Sequence, residues 1–171
     1  LAYAVHQDLV PLAGGESGRL TLAFPLPHAA PGEAPEDSSA AGTANPQAPT
    51  MVPHAAAFEP ALQALYCGLP VRRVGFRFAI NGPFELVANR GDIHEGSETN
   101  QALCEAIPAV FAAGLAAHKA DLGPHALALI GQEPPDGLWR RVRRRLLATL
   151  HGSACVALEG GGLAPPEECV L

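Results

Sequence analysis

The spacing of the apolar residues changes from two positions to four along this sequence, and that change restricts the fold. Leu20, Leu22 and Phe24 alternate with other residues, and residues 74–80 repeat the alternation, which is typical of half-buried strands. Later the apolar residues recur every fourth position, as in helices: Leu103, Ile107, Phe111 and Leu115, then Leu138, Val142, Leu146 and Leu150. The sequence predicts an α/β (α+β) fold, with strands first and C-terminal helices packed on them.

Turn and cap residues predict where these elements begin and end. The glycine-rich stretch at 14–18 predicts a turn, so residues 1–13 are expected to form a hairpin with the strand at 20–26. Short strands are also predicted at 65–69 and 84–87. In the first predicted helix, Ser97 or Thr99 is the cap and Pro108 marks a kink or a restart. Pro124 opens a second, short helix over 125–130, and Gly131 ends it. Asp136 caps a third helix, which Gly152 ends. A strand-like tail follows at 155–158.

The segment 27–58 differs from the rest of the chain. Ala, Pro, Ser, Gly and Glu dominate it, and it has too few large apolar groups to offset the entropy of ordering. We therefore predict a disordered low-complexity insert. The chain then divides into 1–26, the hairpin of an α/β domain; 59–120, the rest of that domain; and 121–171, a helical appendage with the start of a next element. Because the sequence begins in mid-pattern, we expect a piece of a longer protein.

Charge and composition restrict the class of protein. The formal net charge is −6, which argues against a general nucleic-acid binder. Neither a secretory signal nor an apolar stretch of about 20 residues is evident, so no membrane association is predicted. The cysteines form no close metal-type pair, and we predict reduced thiols in an intracellular protein, cytoplasmic or nuclear: Cys67, Cys104, Cys155 and Cys169.

Two basic features are candidates for anion binding. The arginine run at 140–145 could contact phosphates, or it could be the solvated face of an amphipathic helix. Arg90 follows the predicted strand at 84–87, where a guanidinium could reach a neighbouring anion site or pair locally with Asp92 or Glu95. The sequence has no Gly-rich phosphate loop ending in Lys-Ser/Thr, so this stretch alone is expected to bind no cofactor and to have no activity.

A series of short motifs has a recognisable order. It comprises Ala-Phe-Pro-Leu at 23–26, Gly-Leu-Pro-Val-Arg at 68–72, Gly-Phe-Arg-Phe at 75–78, Asn-Arg-Gly-Asp-Ile at 89–93, Thr-Asn-Gln at 99–101 and Ala-Ile-Pro-Ala-Val-Phe at 106–111. This series resembles sacsin-like and NO VEIN-like proteins, in the region that follows a heat-shock-chaperone-type, histidine-kinase-like ATPase domain. Two positions depart from the family pattern, because Gly91 replaces a Glu and Thr99 replaces a Trp.

The resemblance implies a fold like the middle domain of those chaperones and a role in coupling. Arg90 would be the catalytic contact to the γ-phosphate of ATP, and His94 would stand where the chaperones place a supporting Gln. ATP and Mg would belong to the upstream ATPase domain, the partner in cis, and protein clients are expected. Two alternatives stay open: a non-catalytic structural or protein-interaction domain, and a nucleic-acid-associated module that uses the arginine run.

Overall fold

The computed structural model describes residues 2–27, 61–131, 137–153, 156–157 and 162–168. The insert predicted at 27–58 lies outside this part of the chain except for Pro27, and the predicted cap Asp136 lies outside it as well.

A mixed five-stranded sheet forms one layer of the fold. The strands of the described residues are β1 (Tyr3–Pro11), β2 (Ser17–Pro25), β3 (Ala64–Cys67), β4 (Leu69–Arg73), β5 (Ala79–Asn81), β6 (Val156–Ala157) and β7 (Leu163–Ala164). The spatial order of the five-stranded sheet is β1-β2-β5-β3-β4, with β3 and β5 parallel and the other neighbours antiparallel. A separate two-stranded sheet pairs β6 with β7.

Helices form the second layer, so the predicted α+β class is confirmed. They are α1 (Glu98–Ala117), α2 (Lys119–Leu122), α3 (Ala126–Ile130) and α4 (Gly137–His151), with short 3₁₀ turns at 13–15, 123–125 and 166–168. The apolar stripes predicted for α1 and α4 are buried at every predicted position. Gly131 follows α3 with a φ of 69°, as expected for its stop.

The predicted N-terminal hairpin is confirmed. Strands β1 and β2 pair without interruption from Tyr3 opposite Pro25 to Pro11 opposite Ser17. The alternating residues Leu20, Leu22 and Phe24 are fully buried on the side that α1 covers. On the opposite face of the hairpin, the β1 residues Tyr3, Val5, Gln7 and Leu9 are exposed.

The strand predicted at 74–80 is wrong over most of its length, because only β5 is a strand there. Gly75 has a φ of 94°, which turns the backbone out of extended geometry. The Arg77 N–H donates to the Leu129 carbonyl at 2.9 Å, and the Phe76 carbonyl accepts from the Gln63 N–H at 2.9 Å. The backbone hydrogen bonds of this segment therefore go to α3 and to a loop instead of to a sheet ladder.

An aromatic cluster joins the two layers. The ring of Phe78 lies 5.7 Å from Phe24, 5.1 Å from Phe111 and 5.2 Å from Phe76 between centroids. Trp139 of α4, itself fully buried, lies 6.2 Å from Phe76. The buried residues of α3 and α4 belong to the same core cluster as those of the sheet.

The cap of helix α1 and its passage through a proline test two of the predictions. Its N-cap is Ser97, whose Oγ accepts from the Asn100 N–H at 3.2 Å, so the first of the two predicted caps is used. The helix does not restart at Pro108; it runs through that buried residue, and the buried stripe on both sides holds it together. By length and composition alone α1 could cross a membrane, but half of its most apolar window is buried in this fold, as in a core helix.

Candidate functional site: the Arg90 turn

Arg90 lies near the tip of a short exposed turn between the sheet and α1. The turn is closed by a hydrogen bond from the Val87 N–H to the Asp92 carbonyl at 2.9 Å, and the Arg90 N–H donates to the Val87 carbonyl at 2.8 Å. Leu86 and Ile93 form a single antiparallel bridge at its base. The strand predicted at 84–87 is therefore wrong, since only this bridge is present there, and Arg90 precedes α1 by eight residues.

The backbone of Arg90 adopts a conformation that is uncommon for a residue with a side chain. Its φ is 58°, and it is the one described non-glycine residue with a positive φ. The left-handed region costs an L-residue roughly 1–2 kcal/mol, so the surrounding contacts must hold this geometry. One such contact is local, because the Asn89 Oδ1 accepts from the Gly91 N–H at 2.9 Å.

A buried amide fixes the base of the turn to α1. The Asn100 Nδ2 donates to the carbonyls of Glu85 at 2.8 Å and His94 at 2.9 Å, and the Asn100 Oδ1 accepts from the Glu85 N–H at 2.8 Å. Asn100 is fully buried, so these bonds are shielded from water. The turn is thus attached on both of its arms to the first turn of the helix.

An ion pair fixes the turn to the edge of the sheet. Arg72 of β4 pairs with the carboxylate of Asp92, while the other carboxylate oxygen accepts from the Ile93 N–H at 2.8 Å. The expected local pairing of Arg90 with Asp92 is therefore replaced by a pairing with Arg72. Over the residues that the structure describes, the Arg90 side chain has no ion-pair or hydrogen-bond partner, and it is exposed.

His94 lies beyond the base of the turn. Its N–H donates to the Glu85 carbonyl at 2.8 Å, and its own carbonyl accepts from the Ser97 N–H at 3.0 Å as well as from Asn100. Its side chain is exposed, and within the described residues no hydrogen bond joins it to Arg90. The structure thus places Arg90 in the turn and His94 just after its base, with no hydrogen bond between them in the described part of the chain.

The arginine run on α4 lies largely in solvent. Arg140, Arg141, Arg144 and Arg145 are exposed, while Val142 is buried beneath them. Arg145 approaches Glu105 of α1 at 3.7 Å, with both side chains more than half exposed. A surface pair of this kind contributes little to stability.

Within the described ranges, no group of three or more His, Cys, Asp or Glu side chains could hold a metal ion.

Asn100 and the pair between Arg72 and Asp92 were not predicted as site residues. Each of them belongs to one of the motifs named above, at 99–101, 68–72 and 89–93. Membership of these motifs was the signal that could have marked the three residues as candidates. It does not identify their binding partners, because those partners lie elsewhere in the sequence. In the structure Arg72 and Asp92 bind each other, and Asn100 binds the backbone of Glu85 and His94. Both sets of contacts support the turn that carries Arg90.

One comparison with known proteins gives a match. The chain is 28% identical to Protein NO VEIN of Arabidopsis thaliana over 112 residues, which is 58% of this chain. This similarity supports a NO VEIN-like relationship. The chain spans 4% of the length of Protein NO VEIN, so the activity of a whole NO VEIN-like protein is a matter for proposal.

The other two comparisons give no match. No protein-family model matches the chain, and no solved structure matches it. The likeness to sacsin-like proteins and to the chaperone middle domain therefore stays a prediction from the motifs.

Proposed function

We propose that this chain is the coupling segment of a NO VEIN-like protein with a chaperone-type ATPase domain upstream. In this proposal Arg90 reaches the γ-phosphate of ATP held by that domain in cis, and His94 supports it. The nucleotide and Mg belong to the upstream domain, and the coupled motion acts on protein clients in the cytoplasm or the nucleus. The observation that carries the proposal is the exposed guanidinium of Arg90, which has no partner within the described residues and lies on a turn that is fixed at its base.

The physical reason concerns charge that develops during phosphoryl transfer. Negative charge on the terminal phosphate oxygens must be neutralised in the transition state, and a planar guanidinium can donate two parallel hydrogen bonds to them. Such a donor is most effective when it is already oriented, because no reorganisation is then needed at the moment of reaction. Asn100 and the Arg72–Asp92 pair hold both arms of the turn, and so they fix the backbone from which the Arg90 side chain extends.

The test is ATP turnover by the full-length protein with Arg90→Ala. We expect turnover to fall by about 10²-fold or more, the scale of losing one charge-stabilising donor. The matched control is Arg144→Ala, because Arg144 is also exposed but lies on α4, away from the turn. Equal turnover in wild type and Arg90→Ala would contradict the proposal, and so would equal losses in the two variants.

A second candidate function is a non-catalytic structural or protein-interaction domain. It is favoured by the position of Arg90, which lies in an exposed turn eight residues before α1 and does not follow a strand at 84–87 as predicted. Full-length protein without measurable ATP turnover would support this candidate. The nucleic-acid alternative rests on the exposed arginine run alone, and it predicts binding by this chain that weakens steeply with salt.

A further inference from the structure

Strand β1 is an open edge of the five-stranded sheet. In the described part of the chain no strand lies on its outer side. The opposite edge, β4, is five residues long and contains Pro70, Arg72 and Arg73, features that discourage pairing with another chain. Strand β1 has nine residues, and before Pro11 it contains no proline, lysine or arginine. It is therefore the edge that can accept another strand.

The hairpin determines which backbone groups of β1 point outward. The Leu26 N–H donates to the Ala2 carbonyl at 2.9 Å, so even-numbered residues exchange hydrogen bonds with β2. The Leu9 N–H agrees with this pattern, because it donates to the Asp8 Oδ1 at 2.8 Å and not to β2. The outward N–H groups on β1 are those of Tyr3, Val5, Gln7 and Leu9.

The sequence of β1 is complementary to itself in the antiparallel direction. We propose that β1 pairs with β1 of a second copy of this chain about a two-fold axis at Gln7. In that register Val5 faces Leu9 of the partner subunit, and His6 faces Asp8 of the partner subunit. The axis repeats each pair, so two histidine–aspartate pairs form on the inner face and two apolar pairs on the outer face. Residues directly opposite each other in a sheet share a face and contribute to pairing.

The outer-face pairs cover apolar side chains that are otherwise in water. Val5 is 55% exposed and Leu9 is 65% exposed. On the inner face Ala4 would lie opposite Val10 of the partner subunit, and both positions are apolar and already turned toward the core. The backbone bonds formed at Val5 and Gln7 would satisfy outward N–H groups of the edge, and the Leu9 N–H would exchange its bond to the Asp8 Oδ1 for one to the partner strand. The side-chain pairs and the backbone hydrogen bonds both favour the register centred on Gln7, so together they determine how the two strands align.

The helix layer permits this approach. Helix α1 packs on β1 and β2, and its Gln101 and Glu105 flank lies against α4. The flank on the other side of its buried stripe consists of alanines, each half-buried or exposed: Ala102, Ala106, Ala113 and Ala117. Small side chains let two helices come close, so the two copies of α1 would not obstruct pairing of the strands below them.

Sedimentation velocity of this chain at about 1–100 µM tests the proposal. We expect a species of twice the 17.7 kDa chain mass that dissociates on dilution. Gln7→Pro removes an outward N–H that β2 does not use, so the fold should persist while the dimer Kd rises at least ~10-fold. Circular dichroism and the Tm report whether the fold is retained.

Two further pairs of variants separate this register from other modes of association. His6→Asp puts like charges in both inner pairs and should raise Kd by ~10-fold, and adding Asp8→Lys should restore association. Leu9→Lys should weaken the dimer, whereas the matched control Leu69→Lys, on the opposite edge and 69% exposed, should not. A monomer at every concentration would overturn the proposal. A dimer with the same Kd in wild type, Gln7→Pro and His6→Asp would also overturn it.

Discussion

Replacing Asn100 with Ala should loosen the Arg90 turn and destabilise the whole domain. The change removes three hydrogen bonds of 2.8–2.9 Å and leaves the backbone N–H and carbonyl of Glu85 and the carbonyl of His94 without these partners. Each such bond contributes about 0.5–1.5 kcal/mol net, and water can reach part of this exposed turn after the substitution. We therefore expect the free energy of unfolding to fall by about 2–4 kcal/mol.

Urea denaturation followed by tryptophan fluorescence measures this effect. Trp139 is the one tryptophan in the sequence, and it is fully buried in the core, so its emission reports global unfolding. The matched control is Gln101→Ala, because the neighbouring Gln101 is exposed and its side chain donates a long hydrogen bond, 3.4 Å, to the Glu95 carbonyl. The control should lose less than about 0.5 kcal/mol. If Asn100→Ala unfolds within about 0.5 kcal/mol of wild type, the amide does not hold the turn.

Three further outcomes follow from the same structure. Phe76→Ala should lower the free energy of unfolding by about 3–5 kcal/mol in urea denaturation, because Phe76 is fully buried among aromatic rings, whereas the exposed Leu69→Ala should change little. Gly131→Ala should cost at least about 2 kcal/mol in the same assay, since φ is 69° and the added Cβ would lie 2.4 Å from the Gly75 carbonyl oxygen. Gly14→Ala, with a φ of 85° and open space around it, should cost less and serves as its control. This chain alone should give no ATP-binding heat in calorimetry, since its sequence lacks a phosphate-binding loop; micromolar binding would refute that expectation.

The sequence was informative wherever a local pattern decided the structure. The four-residue stripe of α1 and the glycine-rich turn of the hairpin each depend on residues close in the chain, and both predictions were confirmed. The alternation at 74–80 was misleading for a physical reason. Phe76 and Phe78 are both buried, as a strand would have them, but their segment bonds to Gln63 and Leu129, which lie far away in sequence.

At the candidate site, too, the sequence did not reveal contacts between residues that are far apart in the chain. Arg90 could be named from its place in a motif, but its support could not, because each partner is remote. Asn100 reaches back to Glu85, and Asp92 pairs with Arg72, twenty residues away. A polar residue at the start of a helix is ordinarily read as a cap or as solvent-exposed. Only the fold shows that Asn100 is buried and bonded to the turn.

The most direct test of the proposed coupling role is to measure ATP turnover and ATP affinity separately in the full-length protein with Arg90→Ala. If Arg90 acts on the reacting γ-phosphate, kcat should fall by about 10²-fold or more while the Kd for ATP changes much less, since the contact forms mainly in the transition state. The Tm should stay near that of wild type, because the exposed Arg90 side chain has no partner within the described residues. A variant that turns over ATP at the wild-type rate would contradict the account.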